Sequence, residues 1–328
     1  MMTTSIDLRR FVKKLRRHPR TILNIFDDAG GFVFDNRYIV IKVDGFAASR
    51  ALYPWCELSD LGFRAITAAV SDVITKGCRP IIYAISMGVT HDHIIDDIMR
   101  GIEEGIKVYG GYVENLDTNF GNDVWVDVFI LAECRVYPVP RRVEADAELI
   151  LVDKIGSTAI AYTEHYVYGE KPEDEGVIER VCRPRISLSI VDVVEKYRSS
   201  IIGSIDISDT FVETLYDLIL TNSDRYGIYL DFDPSMVADS QLVSYVYKKG
   251  RLDILTGVFI SSEEYIPILV VRRQYIEDIL DELRSRGFNP CILGYVTRTI
   301  NHVVWRGLGV QKIVWNYARG RISILNSL

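Results

Sequence analysis

The sequence predicts an α+β protein built in two parts. Three observations carry that expectation. Dense β-branched runs alternate with segments that repeat apolar residues at helical spacing. Tyr137-Pro138-Val139-Pro140-Arg141-Arg142 places two prolines within a short stretch, a stiff extended link. Each side of that link repeats one habit: strand, Asp-bearing turn, helix. A chain of 328 residues also exceeds what one core usually serves. The expected parts are 1–138 and 139–328.

In chain order, residues 32–45 (FVFDNRYIVIKVDG) read as a β-hairpin turning at Asp35-Asn36. Leu61, Ala65, Ile66, Ala69 and Val73 share one helical face, so 58–76 is a helix whose small residues allow close packing. Residues 80–89 are a strand. Residues 92–109 are an amphipathic helix through Ile94, Ile98, Ile102 and Ile106, stopped by Gly110-Gly111. Asn115 to Asn119 reads as a polar turn, and 124–136 as a strand. Beyond the link, strands are expected at 148–153, 201–207, 227–231, 254–260 and 266–271. Helices are expected at 186–197, 209–222 and 274–286, and short strands and turns after 291.

Composition narrows the function. A net charge of −7 argues against general nucleic-acid binding, which favours a basic face. The first twenty residues run against that balance: Arg9, Arg10, Lys13, Lys14, Arg16 and Arg17 surround Phe11, Val12 and Leu15, an amphipathic helix with a solvated basic face. Cys56, Cys78, Cys134, Cys182 and Cys291 are odd in number and form no CxxC pair. A zinc site and a disulfide framework are therefore not expected, and a reducing cytoplasm fits. No apolar run reaches the roughly 18 residues of a membrane span. Many Tyr, Ile, Arg and Glu with few Gln suggest a thermophilic source.

The chemistry lies in aspartates at turns. Asp27-Asp28 precedes Ala29-Gly30-Gly31, and Asp44-Gly45 ends an apolar strand. Ser71-Asp72 sits on the small-residue helix, and Asp117 follows a helix stop. Asp206 and Asp209 flank Ser208 after another strand. Mg²⁺ carrying a polyphosphate needs several hard oxygens drawn from different strands, which such a series supplies. Each has a plain alternative: a turn, a strand-ending Asp-Gly, an exposed helix position, or a helix cap at Ser208 or Asp209. His91-Asp92-His93 reads as a helix start rather than a zinc pair. No Walker loop, GxGxxG or GxSxG occurs, so none of those sites is supported.

These segments, in this order, resemble the superfamily of thiamine-monophosphate kinase and aminoimidazole-ribonucleotide (AIR) synthetase, which includes selenophosphate synthetase and the hydrogenase-maturation dehydratase. The G-D-D-A signature resembles Phe26-Asp27-Asp28-Ala29, and the T-D strand end resembles Val43-Asp44. The helix motif resembles Ala68 to Pro80, G-G-D-T resembles Asn115 to Thr118, and R-S-G-A-x-x-G-D resembles Arg141 to Glu148. D-I-S-D-G resembles Asp206 to Thr210, and G-E-D-Y-E-L resembles Ser262 to Pro267. The match covers roughly 22–300. The glycines before Asp117, after Asp209 and before Glu263 have become Asn115-Leu116, Thr210 and Ser262.

The resemblance implies a two-domain fold whose N-terminal sheet forms a barrel shared in a homodimer, with a C-terminal α/β sandwich. It implies that Asp28, Asp44, Asp72, Asp117, Asp206 and Asp209 hold Mg²⁺, that Asp117, Arg141 and Ser208 face ATP, and that Glu263 lies at the substrate end. It implies an ATP- and Mg²⁺-dependent transfer of a phosphoryl group to a small-molecule acceptor, thiamine phosphate or a relative of it. Two other readings stay open: a related ATP-using synthetase or dehydratase, and a non-catalytic nucleotide-binding homologue. No residue is assigned as an acid–base catalyst, because positioning and electrostatics dominate such a transfer.

Overall fold

The described residues build a five-stranded sheet before the proline link, a seven-stranded sheet after it, and a two-stranded ribbon of Lys312–Asn316 and Arg321–Leu325. The computed structural model describes residues 14–222, 225–316 and 321–325. The basic helix expected near the N-terminus falls mostly on 1–13, outside the described residues, and 14–20 form turns and irregular structure.

The first sheet holds β1 (Gly30–Phe34), β2 (Arg37–Ala47), β3 (Arg79–Val89), β4 (Tyr112–Phe120) and β5 (Trp125–Cys134), in the order β1-β2-β5-β3-β4. The β1–β2 hairpin turns at Asp35 and Asn36, both at positive φ. Short polar side chains tolerate that conformation, and its twist suits a two-residue hairpin. Helices α1 (Leu58–Thr75) and α2 (Ile95–Tyr109) cover one face. Gly101 permits their close crossing: a Cβ there would fall 1.7 Å from the Ser59 carbonyl oxygen. The other face is open, with Val43 64% exposed and Phe129 and Leu131 half-buried.

The stretch expected as a polar turn, Asn115 to Asn119, is instead part of edge strand β4, parallel to β3. Val113 and Phe120 flank a polar sequence that suits a strand with no neighbour on its outer edge.

The second sheet has the order β12-β11-β8-β10-β6-β9-β7. Its members are β6 (Glu148–Leu151), β7 (Ile201–Asp206), β8 (Gly227–Leu230), β9 (Pro267–Val271), β10 (Cys291–Thr297), β11 (Val303–Trp305) and β12 (Leu308–Gly309). Around it lie α3 (Ser157–Tyr162), α4 (Glu175–Cys182), α5 (Ser189–Lys196), α6 (Phe211–Leu220), α7 (Ser240–Lys249), α8 (Ile254–Ile260) and α9 (Ile276–Ser285). Segment 254–260, expected as a strand, is helix α8. Its seven mostly apolar residues are too few to separate the two periods, and Asp253 settles the matter by capping the Thr256 amide at 2.9 Å.

Helix α1 lies between the halves and is buried from Ser59 to Thr75. It packs on β2 and β5 on one side and on β7 and α5 on the other.

The cysteine expectation is overturned. Cys78 pairs with Cys134 inside the first sheet, and Cys56 pairs with Cys182 between the loop before α1 and the end of α4. Partners 56 and 126 residues apart carry no spacing signal, so only the fold brings them together. Cys291 is buried and free. The Cys56–Cys182 bond ties the first half of the chain to the second. Cys56→Ser should lower unfolding free energy by about 2–4 kcal/mol, as loss of a long-loop crosslink does. Denaturant melts with and without reductant check this: reductant should shift wild type toward the variant and leave less to lose in the variant.

Candidate metal centre

Four carboxylates meet beneath α1, each brought by a different element. Alternation along β2 places Lys42 and Asp44 on the sheet face that α1 covers. Asp72 comes down from α1, Asp206 from the end of β7, and Asp28 from the loop before β1. Lys42 Nζ lies 2.6 Å from Asp72 Oδ2 and 3.2 Å from Asp44 Oδ2. Ser71, beside Asp72 on α1, donates to Asp206 Oδ2 at 2.6 Å. Asp28 pairs with the Arg141 guanidinium, whose backbone amide donates to Asp27 Oδ2 at 2.8 Å.

Charge sets the behaviour of this cluster. Burial opposes the Lys42 ammonium, yet Asp72, Asp44 and Asp28 together hold its pKa well above the ordinary lysine value. Burial raises Asp72; Lys42 pulls it down, and Asp206, Asp28 and Asp44 push it up again. Burial also raises Asp206; the Ser71 bond opposes this, and Asp28 adds to it. Asp209 is pushed up to about 7, first by burial and then by Asp217. Carboxylates this close, desolvated and only partly neutralised, are a hard-oxygen donor set short of positive charge. That donor set fits Mg²⁺.

The remaining expected site residues are less tightly grouped. Asp209 follows Ser208 and feels the charges of Asp28 and Glu263. Ser208 is exposed, and its carbonyl accepts from the Glu263 amide at 3.0 Å. The cap of α6 is Thr210, which accepts from the Glu213 amide, rather than Ser208 or Asp209. Asp117 stands apart on β4. Its row in the sheet passes through Ser86 and neighbouring Ile85 and Val128 to Asp44, three strand spacings or about 14 Å away. Glu263, at positive φ, pairs with the buried Arg64 of α1. It lines a narrow cleft with Tyr53, Thr158, Tyr162, Val181, Ile260 and Ser262. Tyr53 stacks on Trp55 at 4.8 Å between centroids, and His165 meets both rings edge-on.

A family model described as AIR synthase related protein, N-terminal domain, matches residues 26–134. The chain is 26% identical over 284 residues to a thiamine-monophosphate kinase of Pyrobaculum calidifontis, across 86% of this chain and 88% of that protein. Protein tt0281 from Thermus thermophilus superposes with a TM-score of 0.84 at 24% identity, over 95% of this chain and 99% of that one. AaThiL complexed with AMPPCP and TMP superposes with a TM-score of 0.76 at 18% identity, over 94% of each chain. The chain is thus similar to the AIR synthase related domain over residues 26–134 and, over most of its length, to thiamine-monophosphate kinases.

Sequence reasoning missed four charged residues in and around the centre: Lys42, Lys76, Arg64 and Asp127. Lys42 and Asp44 differ by two positions in a strand, so alternation alone places them together. Lys76, at the end of α1, is buried against Asp27 and anchors the loop that carries Asp28. Arg64 holds Glu263. Asp127 on β5 pairs in register with Gly45, and burial with the nearby Asp44 raises its pKa. The Lys76 and Arg64 contacts span more than 40 residues and leave no local pattern.

Raised carboxyl pKa values give a pH prediction. Between the ordinary carboxylate range near pH 4 and about pH 7, the folded metal-free protein holds protons on Asp209 and its neighbours that the unfolded chain releases. This contribution therefore weakens folding as pH rises through that window. Melts in chelator should show the melting temperature falling from pH 5 to pH 8. Asp209→Asn should flatten that slope, and saturating Mg²⁺ should flatten it in wild type. An unchanged slope in both would contradict the charge assignment.

Proposed function

We propose that this protein is an ATP- and Mg²⁺-dependent phosphotransferase whose acceptor is thiamine monophosphate or a close heteroaromatic phosphate. The observation that carries this reading is the convergence of Asp28, Asp44, Asp72 and Asp206 from four separate elements. It is supported by the relatives named thiamine-monophosphate kinase and by a structural neighbour complexed with AMPPCP and TMP.

Bound Mg²⁺ would neutralise phosphate charge and hold the transferring group in line between acceptor and leaving oxygen. Asp28, Asp44, Asp72, Asp206 and Asp209 would be its ligands. Asp117, three strand spacings from Asp44, would serve a separate ion at the edge strand. Arg141, held by Asp28 and the Phe26 carbonyl, aims a fixed guanidinium at the nucleotide phosphates, and Ser208 offers an exposed hydroxyl beside them. Glu263 and the stacked Tyr53–Trp55 pair form the acceptor end, where a flat ring can lie against aromatic faces. Burial of the carboxylates excludes water that would otherwise compete as acceptor.

The assembly we infer is a homodimer, with 1–138 as the nucleotide-binding and dimerising domain and 139–328 as the second domain. The open face of the first sheet supports this, since Val43 on β2 and Phe129 and Leu131 on β5 form an uncovered apolar surface, with the exposed edge strand β4 beyond β3. A second copy would close that face into a shared barrel. Among the described residues no helix is long and apolar enough to cross a membrane.

Calorimetry with Mg-ATP and an assay for thiamine diphosphate test the activity. Wild type should bind nucleotide and turn over, while Asp72→Asn should lose at least about 100-fold in kcat. Failure of wild type to bind millimolar Mg-ATP would overturn the reading. Binding without turnover on any acceptor phosphate would favour a nucleotide-binding homologue instead.

For the dimer, light scattering should give twice the chain mass for wild type. Val43→Glu, which places a charge on the open face, should give a monomer.

A further inference from the structure

Lys42 sits where a cation is needed and already is one. Its ammonium bridges Asp72 and Asp44 at 2.6 and 3.2 Å, within the same cluster as Asp28 and Asp206. Two carboxylates from different elements, pinched around one positive centre, is the arrangement a divalent ion makes in a hard-oxygen site. Lys42 reaches it from β2, with its backbone paired to Ile130 and its stem under α1. Asp72 is almost fully buried and has Lys42 as its ion-pair partner. Asp28, Asp44, Asp72 and Asp206 face two cationic side chains here, Lys42 and Arg141, which leaves two negative charges uncompensated before Asp209 is counted. One divalent cation neutralises two charges. Without Lys42 the deficit would be three, more than one such ion could balance.

We propose that Lys42 is a built-in cation that takes one of the metal positions of this centre, so that the protein binds one fewer divalent ion per chain than its carboxylates alone would hold. The inference rests on the phosphotransferase reading for the identity of the centre, but not for the role of the lysine. An ammonium differs from Mg²⁺ in two ways that matter. It is tethered, so it holds Asp44 and Asp72 in place before any metal arrives. It carries half the charge and opens no coordination position to a phosphate oxygen, so that corner of the cluster is structural and not a contact to nucleotide. Lys42 is thus a positioning residue: it pre-assembles the carboxylates and reduces the dependence of folding on metal.

The test is the count of bound Mn²⁺, the spectroscopic stand-in for Mg²⁺, by electron paramagnetic resonance and calorimetry on full-length protein with ATP present. Lys42→Met should bind one more Mn²⁺ per chain than wild type. Its melting temperature should fall in chelator and recover in saturating Mn²⁺, whereas wild type should change less. Lys42→Arg, which keeps the charge, should retain the wild-type count.

Lys42→Gln, which keeps a donor but no charge, provides the same count if Lys42→Met does not fold; it should also gain one ion. An unchanged count in the neutral variant that folds would overturn the proposal. Wild type binding no Mn²⁺ while the neutral variant binds one would support the lysine's role and sink the phosphotransferase reading. No binding by either would sink both.

Discussion

Helix α1 is buried along nearly its whole length, and a helix enclosed on all sides must find a partner for each polar side chain it carries. Arg64, Thr67, Ser71, Asp72 and Lys76 are all nearly inaccessible. Leaving any of them unpaired would cost more than the net gain of an ordinary hydrogen bond. Their partners are therefore obligatory, and most belong to the site. Arg64 reaches Glu263, Ser71 reaches Asp206, Asp72 reaches Lys42, and Lys76 reaches Asp27. Thr67 donates to the Pro184 carbonyl at 3.0 Å across the junction of the halves. One packed helix thereby indexes the loop before β1, strand β2, the end of β7 and the turn before β9 against one another.

The same enclosure explains why charge collects there. Asp44 and Lys42 share a face of β2 because strands alternate, and that face is the one α1 covers. Asp206 ends β7 directly beneath Ser71. Desolvation then makes each carboxylate costly and each nearby cation valuable. A centre of this kind offers hard oxygens that fit a divalent metal, and the groups that anchor it hold those oxygens in place. The buried Asp27–Lys76 pair shows the division of labour. Of two adjacent aspartates, one is consumed in fixing the loop, and the other pairs with Arg141 at the edge of the cluster.

Of the departures from the resembled pattern, Asn115, Leu116 and Ser262 lie at or near the surface, and Thr210 is buried as the cap of α6. Asn115 and Leu116 replace glycines on an edge strand whose residues are all exposed, so their side chains meet solvent in the single chain. Ser262 leads into the Glu263 turn, where positive φ is borne by a glutamate held by Arg64. Tyr53, Trp55 and His165 add an aromatic wall beside it. The acids Asp72 and Asp206 are buried, whereas Asn115, Leu116 and Ser262 lie at the rim.

The sequence by itself determined the hairpin, helices α1 and α2, most strands, and the aspartates worth attention. Periodicity, turn chemistry and apolar runs are local, and such features survive being read one window at a time. Only the tertiary structure decided that β4 is a strand and α8 a helix. It alone paired Cys56 with Cys182 and Cys78 with Cys134. It set Asp117 apart from the other carboxylates, and it delivered Lys42, Lys76 and Arg64 to particular acids. These outcomes depend on which neighbours supply hydrogen bonds, counter-charges and cover. Those neighbours lie tens to hundreds of residues away, beyond the reach of any local pattern.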